Sequence, residues 1–229
     1  MNIGQFRRTQ QQSYITSLTA TPGTVLVESP TSSEIVFKDI CGNLSGANVM
    51  NNKHSYYLKF GVRRLAAYDQ TFQLKIKNAS NSDTNEQVIE SYTVKKGNIT
   101  DVVYFEVVIS PNAEYNQIVW TLQRTVDDYN IVNYDGTYGR VMDISITSYA
   151  QIIDIMDYLK SQYSGLEYLT SIGIQGPTGL LMCINGEQIR VGRSGIYEID
   201  NEMLITSIGF VPKEISVGTL EYFLMDFVY

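Results

Sequence analysis

The residues that most often carry catalysis are scarce in this 229-residue chain. His54 is its single histidine, and a Ser-His-Asp triad or a zinc site would have to use it. The surrounding segment NNKHSYY offers no further ligand, so we interpret His54 as a loop residue. Glu106 and Asp143 are strand acids to consider for glycoside cleavage, which needs two carboxylates facing each other across a cleft. Any acidic β protein contains such pairs, and we predict no catalytic residue and no cofactor.

Three acidic residues in the segment DDYNIVNYDG are candidates for calcium binding. Asp127, Asp128 and Asp135 carry the oxygen atoms that hard cations prefer, but their spacing does not match the 12-residue calcium loop. We interpret the segment as an ordinary acidic loop and predict no metal site. Whether a calcium ion binds near Asp127–Asp135 stays open.

The glycine-rich segment GIQGPTGLLMCINGEQIRVGRSGIYEID (173–200) has three interpretations. A nucleotide phosphate loop needs GxxxxGK[ST] ahead of a helix, and here no lysine follows the glycines. A collagen-like triple helix needs many Gly-X-Y triplets, whereas Gly173, Gly176 and Gly179 define two. Glycines at turns and bulges between short strands fit the segment best.

Composition and charge favour a folded β protein. Seventeen tyrosines accompany one tryptophan, and tyrosine suits half-buried strands and contact surfaces. The net charge of −7 comes from residues 141–229, which hold 4 basic and 11 acidic side chains, whereas residues 1–140 hold 13 of each. Because phosphate binding needs a basic stripe, we expect no nucleic acid partner.

Cysteine content and hydropathy concern the compartment. Cys41 and Cys183 lie far apart beside apolar residues, which favours buried free thiols made in a reducing cytoplasm over a disulfide framework. The first residues, MNIGQFRRTQQQSYITS, lack the apolar run of a signal peptide. No stretch approaches the roughly 20 apolar residues of a membrane helix. We therefore expect neither export nor membrane insertion.

Residues 22–147 contain short segments of strand character separated by turn-rich joints. TFQLKIK (71–77) alternates cleanly, with Phe72, Leu74 and Ile76 on one face, as is typical of a strand with one wet face. Similar segments recur at near-regular spacing without helical patterns between them. The pattern predicts a mainly β fold with an N-terminal, jelly-roll-like β-sandwich over residues 22–147.

One connecting helix is predicted over residues 148–165. Ser148 and Gln151 fit a capping box, and the apolar residues between 152 and 159 repeat at helical spacing. Gly165 can supply the left-handed stop.

Residues 166–229 predict a small C-terminal β domain built as a meander. Within it, Asn185-Gly186 is a hairpin signal because both residues tolerate positive φ. At the other end, residues 1–21 are polar and glutamine-rich, and we expect an arm that orders only against a neighbour.

The last segment, LEYFLMDFVY, is apolar on both faces except at Glu221 and Asp226. Such a strand is either central in a sheet or paired with another subunit. We therefore expect both chain ends to make assembly contacts with copies of the chain and with other proteins. The residues predicted for these contacts are Phe6, Arg7, Arg8, Tyr222, Phe223, Phe227 and Tyr229.

A carbohydrate-binding module for host-surface glycans is the alternative function. Such β-sandwich modules need exposed aromatic rings and a few amides on a face or among loops. Tyr129, Tyr134 and Tyr138 are the candidate glycan contacts. Trp120 lies mid-strand in IVWTL and is predicted to be buried.

The segment IGIQGPTGLLMCINGEQIRVGRSGIYEI, followed by ITSIGFVP and the last strand YFLMDFVY, resembles a known module. It is similar to the C-terminal β module of virion proteins from tailed bacteriophages of Gram-positive hosts, encoded among tail-tip and baseplate genes. The resemblance covers the last quarter of the chain. It implies a structural, non-catalytic subunit of a tail tip, baseplate or attached fibre, made in the host cytoplasm and located in the virion. The implied partners are copies of itself and other virion proteins.

Overall fold

The computed structural model of the chain describes residues 2–7, 15–17, 25–26, 34–37, 49–78, 86–123, 141–152, 154–175, 181–190, 196–199, 204–211 and 224–229. Several predicted site residues lie outside these ranges: Arg8, Asp127, Asp128, Tyr129, Tyr134, Asp135, Tyr138, Tyr222 and Phe223.

The described residues form strands and one helix, which confirms the predicted mainly β fold. In chain order the elements are β1 (Ile3–Arg7), β2 (Ile15–Ser17), β3 (Val25–Leu26), β4 (Glu34–Phe37), β5 (Ser55–Arg63), β6 (Gln70–Lys77), β7 (Glu86–Val94), β8 (Val102–Ile109), β9 (Gln117–Gln123), β10 (Val141–Met142), β11 (Ile144–Ile152), α1 (Met156–Gln162), β12 (Ser171–Gln175), β13 (Leu181–Ile184), β14 (Glu187–Arg190), β15 (Ile196–Ile199), β16 (Ile208–Val211) and β17 (Leu224–Val228).

The chain divides into two compact units, and each combines segments that are distant in sequence. Unit 1 comprises Met1–Thr16, His54–Tyr57 and Ala150–Tyr229, whereas unit 2 comprises Ser17–Lys53 and Leu58–Tyr149. The predicted domains follow one another along the chain, whereas these units exchange segments.

Eight strands form two four-stranded sheets, with orders β2-β11-β5-β8 and β4-β9-β6-β7. Numbered one to eight along the chain, these strands pair first with eighth, second with seventh, third with sixth and fourth with fifth. That is the arrangement of a long hairpin rolled into two sheets, which defines a jelly roll. A short ribbon, β3 with β10, accompanies them. The predicted jelly-roll-like sandwich is therefore confirmed.

An aromatic cluster fills the space between the two sheets of unit 2. Phe60 of β5 stacks on Phe105 of β8 at a centroid distance of 5.4 Å and meets Trp120 of β9 edge-on at 5.4 Å. Tyr92 of β7 lies 4.7 Å from Phe105 and 5.5 Å from Phe72 of β6. Since these strands belong to both sheets, the cluster holds the sandwich together, and the buried position predicted for Trp120 is confirmed.

The predicted helix over 148–165 needs a correction, because α1 begins eight residues later, at Met156. Ser148 and Gln151 lie in β11 and form no capping box. β11 is a central strand between β2 and β5, so its pairing on both sides outweighs a helical spacing of apolar residues. The carboxylate Oδ1 of Asp154 accepts the backbone N–H of Met156 at 2.8 Å and so supports the start of the helix.

Unit 1 contains two sheets, with strand orders β1-β17-β12-β15 and β14-β13-β16. Asn185 and Gly186 form the turn between β13 and β14 with φ angles of 49° and 86°, as predicted. The other paired strands are not consecutive, so the predicted meander applies to this hairpin alone among the described strands. The core of unit 1 contains Phe6, Ile155, Met156, Leu159, Leu166, Leu169, Ile172, Ile174, Met182, Ile184, Ile205, Ile208, Phe210, Met225 and Phe227.

The predicted N-terminal arm also needs a correction. β1 pairs antiparallel with β17 of the same chain over five residues, from Ile3↔Val228 to Arg7↔Leu224. β17 also pairs with β12 and is therefore a central strand of its own chain. Of the two alternatives for the apolar chain end, the structure shows the central strand. The N-terminal segment is ordered by that strand because Phe6 is buried in the shared core.

Candidate assembly surface

The structure places the predicted assembly residues in different environments. Phe6 and Phe227 are buried in the core of unit 1, so neither side chain lies at the surface where the predicted assembly contact would need it. Tyr229 packs half-buried against the same core. Arg7 pairs through its backbone with Leu224. Phe6, Phe227 and Tyr229 therefore contribute to the core of unit 1.

Tyr163 closes the middle of the outer edge of β1. Its hydroxyl donates to the backbone carbonyl of Gln5 at 2.6 Å and accepts the backbone N–H of Gln5 at 3.0 Å. The ring lies edge-on to Phe227 at 5.1 Å and to Tyr229 at 5.7 Å. An edge strand with free backbone groups invites another strand to pair. Because Gln5 is already satisfied, strand addition at this point is blocked.

The face of the β1-β17-β12-β15 sheet that points away from the core remains accessible. Ile3 is 79% exposed there, although isoleucine is a strongly apolar residue. Gln5 donates from Nε2 to Oδ1 of Asp226 at 2.8 Å. Gly173 lies opposite Asp226 in the strand register, and a Cβ atom at Gly173 would meet nothing within 4 Å.

The missing side chain of Gly173 contributes to an open depression of about 300 Å³. Its lining residues are Ile3, Ser171, Ile172, Gly173, Asp226, Phe227 and Val228. A second open depression of about 230 Å³ adjoins Val228 and is lined by Gly165, Glu167, Tyr168, Thr170, Val228 and Tyr229. The strand β17 therefore borders each of these two depressions.

The residues considered for catalysis have ordinary surroundings. His54 is exposed. Glu106 lies 3.6 Å from the Nζ of Lys59, and Asp143 lies 2.7 Å from the Nε of Arg63. Among the described residues, no group of three or more His, Cys, Asp or Glu side chains is placed to hold a metal ion.

Cys183 is buried, as predicted, and its Sγ donates to the Oγ of Ser55 at 3.3 Å. Cys41 lies outside the described residues. No helix in the part of the chain that the structure describes is long and apolar enough to cross a membrane.

One exposed aromatic residue of the sandwich was missed at the level of sequence. Tyr104 of β8 is 58% exposed, and a sequence pattern of VVYFEVV does not show which aromatic ring faces water. Phe105 and Val107 face the core, and residues one and three positions away in a strand lie on opposite faces. The outer position of Tyr104 therefore follows only once the core side of Phe105 and Val107 is known.

The fold defines a jelly-roll unit joined in one chain to a smaller β unit with one described helix. No family model matches the chain, and no curated protein matches it. Among solved structures, the infectious bursal disease virus Gx strain has a chain with 8% identity and a TM-score of 0.34, covering 99% of this chain and 40% of that one. A chain of the Gt strain of the same virus has 11% identity and a TM-score of 0.27, and the match covers 98% of this chain and 39% of that one.

This chain therefore spans about two fifths of the length of those viral chains. Likenesses at such TM-scores are too weak to establish a shared fold, and we draw neither fold nor function from them.

Proposed function

We propose that this chain is a structural subunit of a tailed-bacteriophage virion, in the tail tip, the baseplate or an attached fibre. It acts through contacts with copies of itself and other virion proteins, without catalysis. The resemblance of the segment 172–229 to virion modules supports this placement. In the structure that segment supplies β12 to β17, and so most of the two sheets of unit 1.

The exposed Ile3 beside the Gly173 depression is the observation that carries the assembly role. Full burial of an isoleucine side chain contributes roughly 1.5–3 kcal/mol, and here that stabilisation is unused within the chain. The depression beside it has room for a side chain of a neighbour. We infer that another copy of this chain covers this face, since symmetric homo-oligomers are the commonest assemblies.

Replacing Ile3 by aspartate tests the contact without touching the core. Because Ile3 is 79% exposed, Ile3→Asp should leave the fold intact, which circular dichroism would check. A charge buried at the contact is costly, so self-association should weaken at least about tenfold, measured by size-exclusion chromatography with light scattering. Leu204→Asp is the matched control, because Leu204 is 57% exposed in unit 1 and does not line the depression.

Equal association of Ile3→Asp and wild-type protein, or a wild-type chain that stays monomeric at all concentrations, would contradict the self-association. The virion placement has its own test. Gold-labelled antibodies against the chain should decorate one end of particles purified from a host carrying the gene. Undecorated particles would overturn the placement even if the chain self-associates.

A further inference from the structure

An exposed tyrosine of unit 2 packs against a glycine on the neighbouring strand. A Cβ atom at Gly61 of β5 would lie 3.0 Å from Cε1 and 3.2 Å from Cδ1 of Tyr104, and 2.7 Å from Cγ1 of Val102. One side of the Tyr104 ring therefore packs on the Gly61 backbone, while the side chain remains 58% exposed. The absence of a Cβ atom at Gly61 leaves room for the ring against the β5 backbone, so the ring is packed on one side before any ligand binds.

Polar groups surround this ring on the same face of the sheet, because alternate residues of a strand share a face. Two residues before Gly61, the ammonium of Lys59 lies 3.6 Å from the carboxylate of Glu106. Thr147 of β11 is exposed and donates from Oγ1 to the carbonyl of Lys59 at 3.2 Å. The face therefore combines one apolar ring with hydrogen-bonding groups close by.

Among the described residues near the ring, two ion pairs bring opposite charges together. Lys59 pairs with Glu106, and Arg63 pairs with Asp143 at 2.7 Å between Nε and Oδ2. A ligand with a net charge would have to compete with one of these ion pairs. An uncharged ligand rich in hydroxyl groups can instead hydrogen-bond to both members of a pair.

The apolar area is small. A tyrosine side chain that is 58% exposed offers on the order of 100 Å². A stable protein interface buries about 800 Å² per partner. The ring alone would supply a small part of such an interface, whereas its area is enough to cover the apolar face of one sugar ring.

From the packed ring, the two ion pairs beside it and the small apolar area, we propose that this face of the jelly roll binds a neutral glycan, with Tyr104 stacking on a pyranose ring. Aromatic residues also cover glycines in sheets for structural reasons, and this accounts for the position of the ring. Stability alone does not require the exposed side of the ring to be aromatic. Glycan binding at Tyr104 goes beyond the virion role and does not depend on it.

Affinity electrophoresis tests the proposal in native gels that each contain one soluble polysaccharide. The neutral probes are dextran, laminarin, mannan and galactomannan, and alginate is the anionic comparison. We expect retardation of the wild-type chain in at least one neutral gel. Tyr104→Phe should retain it, because the stacking ring stays. Tyr104→Leu should weaken it at least about tenfold, because leucine still covers Gly61 but cannot stack.

Two further variants sharpen the result. Tyr168→Leu removes another exposed tyrosine, 39% exposed in unit 1, and should bind as wild type. Gly61→Ala should weaken binding, because its Cβ would crowd both Val102 and the Tyr104 ring. Circular dichroism should show every variant folded. No retardation in any neutral gel, retardation in alginate alone, or equal retardation of Tyr104→Leu and wild type would overturn the proposal.

Discussion

Tyr92 shows how one buried hydroxyl links the stability of the sandwich to alkaline pH. Its ring belongs to the aromatic cluster, and its hydroxyl donates to Oε2 of Glu90 at 2.8 Å. Burial, followed by the hydrogen bond and the charge of Glu90, raises the pKa of Tyr92 well above its usual value. The unfolded chain therefore ionises this tyrosine near pH 10, while the folded chain keeps the proton.

The stabilising contribution of Tyr92 is consequently complete below pH 10 and is lost as the pH rises further. Between pH 10 and 11 the free energy of unfolding of the wild type should fall by up to about 1.4 kcal/mol per pH unit more than that of Tyr92→Phe. The reason is that the unfolded wild type releases one proton that the folded state keeps. Urea unfolding followed by fluorescence of Trp120, the single tryptophan, measures this within the cluster. Parallel pH curves for the two proteins would contradict the prediction.

Single residues were predictable from sequence where local pattern decides their environment. The alternation of TFQLKIK assigned Phe72, Leu74 and Ile76 to the buried face correctly. The positive φ of Asn185 followed from its turn chemistry. Phe227 was not predictable in this way, because an apolar residue in a terminal strand looks the same whether its cover comes from the same chain or from another.

At the scale of elements, the packing of β1 on β17 requires a glycine at position 4. A Cβ atom at Gly4 would overlap the ring atoms Cε2 and Cζ of Phe227, and that ring is buried and cannot easily move. We expect Gly4→Ala to lower the free energy of unfolding of unit 1 by about 1–3 kcal/mol, since overpacking a core is destabilising. The backbone amides of β1 and β17 should then exchange faster with deuterated solvent, measured by mass spectrometry.

Gly173→Ala is the matched control for this change. Both glycines lie in strands of the same sheet, but a Cβ atom at Gly173 meets nothing within 4 Å. The free energy of unfolding of this variant should lie within about 0.5 kcal/mol of the wild-type value, as is usual for surface substitutions. If both variants are equally stable, the close approach of Gly4 and Phe227 does not hold β1 in place.

The element prediction failed where strand pairing outweighed local pattern. Residues 148–152 carry the sequence pattern of a capping box and part of a helical repeat, but they lie in β11 between two partner strands. A single sequence does not show whether β2 and β5 are available to pair with such a segment. The helix forms only after Asp154, whose carboxylate accepts the backbone N–H of Met156 in the first turn.

At the scale of the whole molecule, the interleaved units could not be predicted from local pattern either. Gln5 and Asp226 are 221 residues apart in sequence and form a direct hydrogen bond. Nothing in the composition of residues 1–21 indicates that Ile3–Arg7 pair with the last strand. The sandwich was predictable because short segments of strand character recur at near-regular spacing with turn-rich joints between them.

The uneven charge of the whole chain should govern its self-association. The net charge is −7 at pH 7 and the isoelectric point is near 4.8, so copies of the chain repel one another at neutral pH. Lowering the pH from 7 towards 5 removes this charge, and added salt screens it, because the Debye length falls from about 30 Å at 0.01 M to about 10 Å at 0.1 M. Both changes should strengthen an association that is driven by the apolar contact of Ile3.

Light scattering across pH 5–8 and across this salt range measures the effect. Leu204→Asp adds one negative charge away from the contact, so it should associate slightly less than wild type at low salt and equally at high salt. Ile3→Asp should remain weak at high salt, because screening does not restore the lost burial. An association that weakens as salt is added would show instead that complementary charges hold the copies together.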